Sequence, residues 1–395
     1  MPNARRDTRT GLRTAPRGDT KQAMTTLHQQ WYNTLVAGLR LDPASFQLLQ
    51  PSAPLGDTSD QLWAYYNSIP PPSLVNNLQL NPVNRLYDDY RAVVNVLISQ
   101  TGDRFRQDLG DCYQSWMTYV SGLSPTPRPS DLPDVFFSWA TIHCPGSASR
   151  GRNDLEAMLD DPIALAQQAV LDRSRFINGV PDFGASIEDL RDAVAQAPSA
   201  SFFLDSATQK ADTSTSWAGG EVGGFWDFFH GGGSADWSET QAKAVASQLT
   251  ISVAFQHALS FPAEPGTWYS SAALASAYTT RDNTLWKPGA TPNWASTFGP
   301  EGNMQRFLTE LIVVDGISTT MTSAAGYTST EEKEIKSDAE AGIFPLFFAE
   351  ASGGVTSSVS FDDEGSMTVT STSPAGNPVV LGAVVASAAA LLAGE

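Results

Sequence analysis

Lysine is almost missing from this chain. Six occur in 395 residues, none of them between Lys21 and Lys210, and acidic residues outnumber basic ones 42 to 24 for a formal net charge of −18. The first 22 residues hold six basic and two acidic side chains, a net of +4, which leaves −22 for the remainder. So acidic a body repels phosphate backbones, and nucleic acid is excluded as a partner. Histidine is also scarce. His28, His143, His230 and His257 are the only four, with no HxH, HxxxH or HExxH spacing, so metal catalysis lacks its usual ligand sets. The two cysteines, Cys112 and Cys144, lie far apart and form no CxxC pair, which excludes zinc-ribbon and thioredoxin chemistry and leaves a buried structural role, paired or free.

Long apolar runs are lacking too. No apolar stretch follows the basic start, so a secretory signal of the usual design is not expected, and the compartment reads as cytoplasmic or reached by a signal-free route. The longest uncharged apolar run, PVVLGAVVASAAALLAGE from Pro378, is shorter than the roughly 20 strongly apolar residues of a spanning helix and lacks basic flanks. It is expected to form a buried strand followed by a short packed helix. No 20 to 50 residue repeat is visible.

What is present describes a folded protein. Hydrophobic residues make up 41% and charged ones 17%, below the usual proportion of about a quarter, with Ser and Thr filling the difference. Helical periodicity runs from Met24 to Ala197, with candidate helices over 24–41, 57–68, 82–100, 103–123, 131–143, 153–172 and 186–197. Asn81 before Pro82, and Ser186 with Asp189, supply capping signals. After Pro198 the period changes to two. Leu249, Ile251, Val253 and Phe255 alternate with polar or small residues, 307–321 reads as one strand or two broken at Asp315-Gly316, and 355–372 reads as a hairpin closed by Asp362-Asp363-Glu364-Gly365 whose outward positions are nearly all Ser and Thr. The expectation is an α+β chain: a disordered basic leader over 1–22, a helical domain over 23–198, and a β-rich domain of antiparallel sheet over 199–395.

Within the last lies the most distinctive segment, TSWAGGEVGGFWDFFHGGGSADWSE over 215–239. It holds seven glycines, three tryptophans and three phenylalanines in 25 residues. Such glycine density frees the backbone, while the aromatic side chains need an apolar cover. Trp217, Phe225, Trp226, Phe228, Phe229, His230 and Trp237 are therefore the candidate binding residues. His230 with Gly231, Gly232 and Gly233 spells the HGGG of an esterase oxyanion hole, but no GxSxG nucleophile elbow exists anywhere in the chain, and the structural reading is preferred. Adjacent carboxylates such as Asp88-Asp89, Asp160-Asp161 and Asp362-Asp363-Glu364 are expected to be helix caps and solvated turns.

These residues suggest a non-enzymatic binding or assembly protein, with the aromatic, Gly-rich loop contacting another subunit or a membrane in the manner of a membrane-active or pore-forming protein. No catalytic residue, cofactor or metal is expected. Because Glu221, Asp227 and Asp236 stand among the aromatics with no Lys or Arg, a membrane role would need a neutral bilayer, a receptor, or a lower pH that protonates the carboxylates and His230. The alternative is a glycan-binding protein or glycoside hydrolase. Six of the ten tryptophans lie between Trp217 and Trp294 and would serve as sugar platforms, with Asp227 or Asp236 and Glu221 or Glu264 as opposed carboxylates. An enzyme of another class, with its site among the helices, is the third reading. A homo-oligomer or a protein partner is expected first, and a neutral membrane or a glycan second.

Overall fold

The computed structural model describes residues 17–71, 85–125, 127–172, 174, 176–208, 243–244, 247–282, 284–340 and 356–393. It is an α+β fold, with helices mostly in the first half and an antiparallel sheet mainly in the second. Helix α1 spans Arg17–Leu39, strand β1 Phe46–Pro54, and α2 Ser59–Tyr66. Then come α3 (Leu86–Val96), α4 (Gln100–Leu109), α5 (Cys112–Ser121), α6 (Leu132–His143), α7 (Ala148–Met158) and α8 (Pro162–Ala169). A two-residue ribbon, β2 (Phe176–Ile177) and β3 (Val180–Pro181), leads to α9 (Ile187–Gln196).

The breaks have local causes. The candidate helix over 103–123 is two helices, because Gly110 adopts φ 52° between α4 and α5. The one over 153–172 is also two. Asp161 accepts from the Ile163 and Ala164 amides, and Pro162 at the first helical position starts α8 afresh. Ser186 and Asp189 form the capping box of α9, as their spacing predicts. The Asn81-Pro82 cap lies outside the described residues.

The sheet is assembled from β4 (Ala200–Asp205), β5 (Leu249–Pro262), β6 (Arg306–Ser323), β7 (Thr356–Phe361), β8 (Met367–Thr372) and β9 (Val379–Ser387), together with β1. Helices α10 (Ser271–Thr279) and α11 (Trp294–Phe298) lie between β5 and β6, α12 (Ser329–Glu340) follows β6, and α13 (Ala388–Leu392) ends the described chain. Strand order is β1-β9-β6-β5-β4, with β8 also on β6 and β7 on β8. The 18-residue β6 is the spine. It pairs with β5 along most of its length, while on its other side it meets β9 first and β8 after Ile317.

Asp315 sits where β6 changes partner. Its buried carboxylate accepts from the Gly376 and Asn377 amides and so fixes the turn between β8 and β9. Gly316, at φ 59°, follows without interrupting the strand. From Leu311 to Ile317 every residue of β6 is buried, because side chains on both faces are covered; from Ser318 onward only alternate residues are. The first part lies inside the molecule and the second projects with one free face.

Three hydrophobic clusters fill the interior. The first joins α2, α3, α8, α9 and α10 to the inner halves of β6 and β9, and its hub is Trp268, only 2% exposed. Rings of Tyr87, Tyr90 and Phe183 stand edge-on to it at 5.2 to 5.8 Å, and its indole N–H donates to the Asp182 carbonyl. The second lies between α1 and the projecting sheet: Trp31, Tyr32 and Leu35 face Phe46, Ile251, Val253, Phe255 and Met321. Gly38 of α1 permits the closest approach, since a Cβ there would meet the Phe202 ring at 2.5 Å. The third cluster, Phe105, Trp116, Phe136 and Trp139 among others, belongs to α4–α7. The Cys112–Cys144 disulfide closes it, so these cysteines are paired and half-buried.

The apolar C-terminal run forms β9 and then α13, strand followed by short helix as expected. No helix among the described residues is long and apolar enough to cross a membrane.

Candidate functional site

The seven candidate residues, Trp217, Phe225, Trp226, Phe228, Phe229, His230 and Trp237, lie outside the described residues. The places where their segment is attached do not. β4 leads into it and β5 leads out of it, and these strands are paired neighbours, with Asp205 opposite Thr250. Ser206 donates its amide to the Leu249 carbonyl at 2.8 Å and accepts the Leu249 amide on its hydroxyl at 2.9 Å. Its carbonyl accepts from the Gln30 side chain of α1. Asp205 caps the following turn through the Ala207 amide and receives the Gln248 side chain.

The returning end is held by an ion pair. Lys243 Nζ lies 2.9 Å from both carboxylate oxygens of Glu331 and 5.0 Å from the centre of the Tyr327 ring. Burial would raise the Glu331 carboxyl, but the Thr328 amide, the Lys243 ammonium and the Thr328 hydroxyl outweigh it and hold the group below the ordinary carboxylate range. Thr328 and Glu331 also begin α12 in the manner of a capping box, Thr328 N–H and O–H donating to Glu331 Oε2. Tyr327 donates its amide to the Gly365 carbonyl, which joins this corner to the β7–β8 turn. Burial pushes the Tyr327 phenol up, against the Ser323 hydroxyl bond. In the turn itself, Asp362 accepts from the Ser366 and Glu364 amides, and Gly365 adopts φ 80°, the capped acidic turn the sequence suggests. Asp161, of another adjacent carboxylate pair, caps a helix as noted above.

Beside this corner lies the free face of the projecting sheet. The registers align five strands in rows: Asp205–Thr250–Thr322–Thr368–Ser360, then Phe203–Ser252–Thr320–Thr370–Ser358, then Ser201–Ala254–Ser318–Thr372–Thr356. Twelve of the fifteen are Ser or Thr, and Asp205, at one corner, is the only ionisable residue. Hydroxyls touch across the strands, Thr356 to Thr372 at 2.7 Å and Thr322 to Thr368 at 3.4 Å. The opposite face of the same strands is the second hydrophobic cluster. A rigid sheet, apolar beneath and hydroxylated above, therefore carries the two attachment points.

The tryptophans proposed as sugar platforms need correction. Trp268 and Trp286 are buried in the first cluster, and Trp294 is packed against it with its N–H donated to the Tyr278 carbonyl. Trp268 finds its ring partners Tyr87, Tyr90 and Phe183 across the fold, whereas Trp286 and Trp294 both meet Phe298 within their own stretch of chain. Trp217, Trp226 and Trp237 lie outside the described residues.

Among the described residues catalytic groups do not converge at this corner. His257 uses Nδ1 on the Ala197 carbonyl, and its cross-strand neighbour Asp315 has its carboxylate on backbone amides. Among the described residues no three His, Cys, Asp or Glu side chains gather as a metal site. The Lys243–Glu331 corner is absent from the sequence reading. Its signal was Thr328 with Glu331 three positions on, ahead of α12, which the reading also omits. No protein-family model matches the chain, and no curated protein and no solved structure matches it.

Proposed function

We propose that this chain is a non-enzymatic binding or assembly protein whose contact element is the aromatic, glycine-rich segment 215–239. The observation that carries the reading is the attachment of that segment to two adjacent, hydrogen-bonded strands, with α1 bracing one end through Gln30 and α12 the other through Lys243–Glu331. Binding elements work best on a rigid scaffold, because the ordering cost is then confined to the element itself. The segment places six large aromatics on that support, and a few buried aromatics carry much of the energy of a protein interface. The target is a second copy or another protein surface; lack of basic residues among the aromatics restricts a membrane target to neutral lipid.

The test replaces Trp226, Phe228 and Phe229 together by Ser. Sedimentation equilibrium and flotation with phosphatidylcholine vesicles should show weakened association, while the thermal midpoint stays within about two degrees of the parent. A collapse of the midpoint with association preserved would make the segment part of the core and overturn the reading.

A further inference from the structure

At the edge of the projecting sheet, β4 pairs with β5 on one side and with no strand among the described residues on the other. The Ser206–Leu249 bond fixes the alternation of this antiparallel pair: Ala200, Phe202 and Leu204 turn their amides and carbonyls toward β5, Ser201 and Phe203 turn both groups outward, and Asp205 turns its amide outward while its carbonyl accepts from the Thr208 amide. Natural proteins guard such an edge with Lys, Pro or a bulge. β4 has none of them. It presents instead Phe203, 57% exposed, the most exposed phenylalanine among the described residues. The opposite edge differs, for the exposed residues of β7 are Thr356, Ser358 and Ser360, and α12 is packed on it, with Lys336 over the Phe361 ring.

We propose that β4 is the interface at which a second copy of this chain joins, strand to strand and antiparallel, across a two-fold axis through Phe203. The outward residues are symmetric about Phe203, so a two-fold sets Phe203 opposite Phe203 of the second copy and Ser201 opposite its Asp205. Each single charge then meets a hydroxyl. A register that set Asp205 against Asp205 would place like charges directly opposite, which is destabilising. In the favoured register Phe203 exchanges two backbone hydrogen bonds with its counterpart and each Asp205 amide donates to the opposite Ser201 carbonyl, four bonds in all, the two exposed phenylalanines cover one another, and the hydroxylated faces of the two copies become one continuous surface. Isologous two-fold contacts are the commonest form of self-association, and this edge is self-complementary in backbone, charge and apolar surface. The proposal does not depend on what segment 215–239 contacts.

The experiment is site-directed cross-linking. Both native cysteines are joined to each other, so an introduced cysteine supplies the only free thiol. Directly opposed residues of a hydrogen-bonded antiparallel pair have Cα atoms about 5.5 Å apart, within disulfide reach. Phe203→Cys should form a covalent dimer under mild oxidation, and Thr320→Cys, on the same face but two strands inward, should not. Phe203→Pro removes the outward N–H at the two-fold without touching the bonds to β5; it should weaken dimerisation of the otherwise native chain by about tenfold or more at an unchanged melting temperature. The Ser triple variant of segment 215–239 combined with Phe203→Cys should still cross-link, which separates failure of this interface from failure of the segment. A parent chain that sediments as a monomer at every concentration while Phe203→Cys stays unlinked would overturn the proposal. So would a dimer that ignores Phe203→Pro, or equal cross-linking at residue 320.

Discussion

Lys243 and Glu331 are 88 positions apart in sequence, and their side chains meet at 2.9 Å. One closes the return path from the aromatic segment and the other caps α12, so a single ion pair ties the segment's support to the helix that covers β7. Glu331→Gln should loosen both. Loss of the cap and the ion pair together should cost about 1 to 2 kcal/mol by denaturant unfolding. The carboxyl is held low by its donors, so its contribution is present above the unfolded-state carboxylate value and is lost as pH falls through the lower folded value. The difference between parent and Glu331→Gln should therefore shrink in acid and be full at neutral pH.

The opposite sign is expected in the third cluster. Asp154, 5% exposed, is raised by burial and then by the neighbouring Asp108 carboxyl, despite Arg104 at 3.3 Å. A carboxyl raised in the folded state costs stability as pH rises past the unfolded value. Asp154→Asn removes that cost, so its melting temperature relative to the parent should climb from acid to neutral pH. A flat difference across that range in thermal scans would contradict the assignment.

The two faces of the projecting sheet should respond differently to substitution. Ile251→Ala or Phe255→Ala, on the buried face under α1, should destabilise by about 2 to 5 kcal/mol. Thr320→Val, on the hydroxylated face, should stay within about 0.5 kcal/mol. Urea titrations of the three variants decide it.

Gly316 is required by its conformation and by its neighbour. At φ 59° an added Cβ would also lie 2.7 Å from the Gln256 side chain, so Gly316→Ala should cost more than about 1 kcal/mol. Gly110→Ala, at φ 52° but in open space, should cost less, since only the backbone strain applies. Paired unfolding curves would show whether the crowding adds to the strain.

Short-range signals in the sequence led to structure where the contacts are also short-range. Ser186 with Asp189 announced α9, the alternation over 355–372 announced β7 and β8, and the uncharged C-terminal run announced β9 and α13. β1 went unread because Phe46–Pro54 contains Pro51, lacks a period of two, and owes its pairing to β9 more than 300 positions away. Trp268 looked poor in apolar neighbours because the rings that stand edge-on to it, Tyr87, Tyr90 and Phe183, come from α3 and the residues before α9, far earlier in the chain. For the site, composition alone marked segment 215–239, and the hydroxylated strands were partly legible as Ser/Thr alternation. The β4 edge was not, since which amides point outward depends on the pairing with β5.

Contact through residues 215–239 is open to direct measurement by amide hydrogen exchange. Exchange should be followed in the dilute chain and in its associated state, whether concentrated or bound to neutral vesicles. Amides within 215–239 should gain protection on association, while the second cluster under α1 stays unchanged. Identical exchange across 215–239 in both states, with protection gained elsewhere, or the failure of any associated state to form, would contradict contact through this segment.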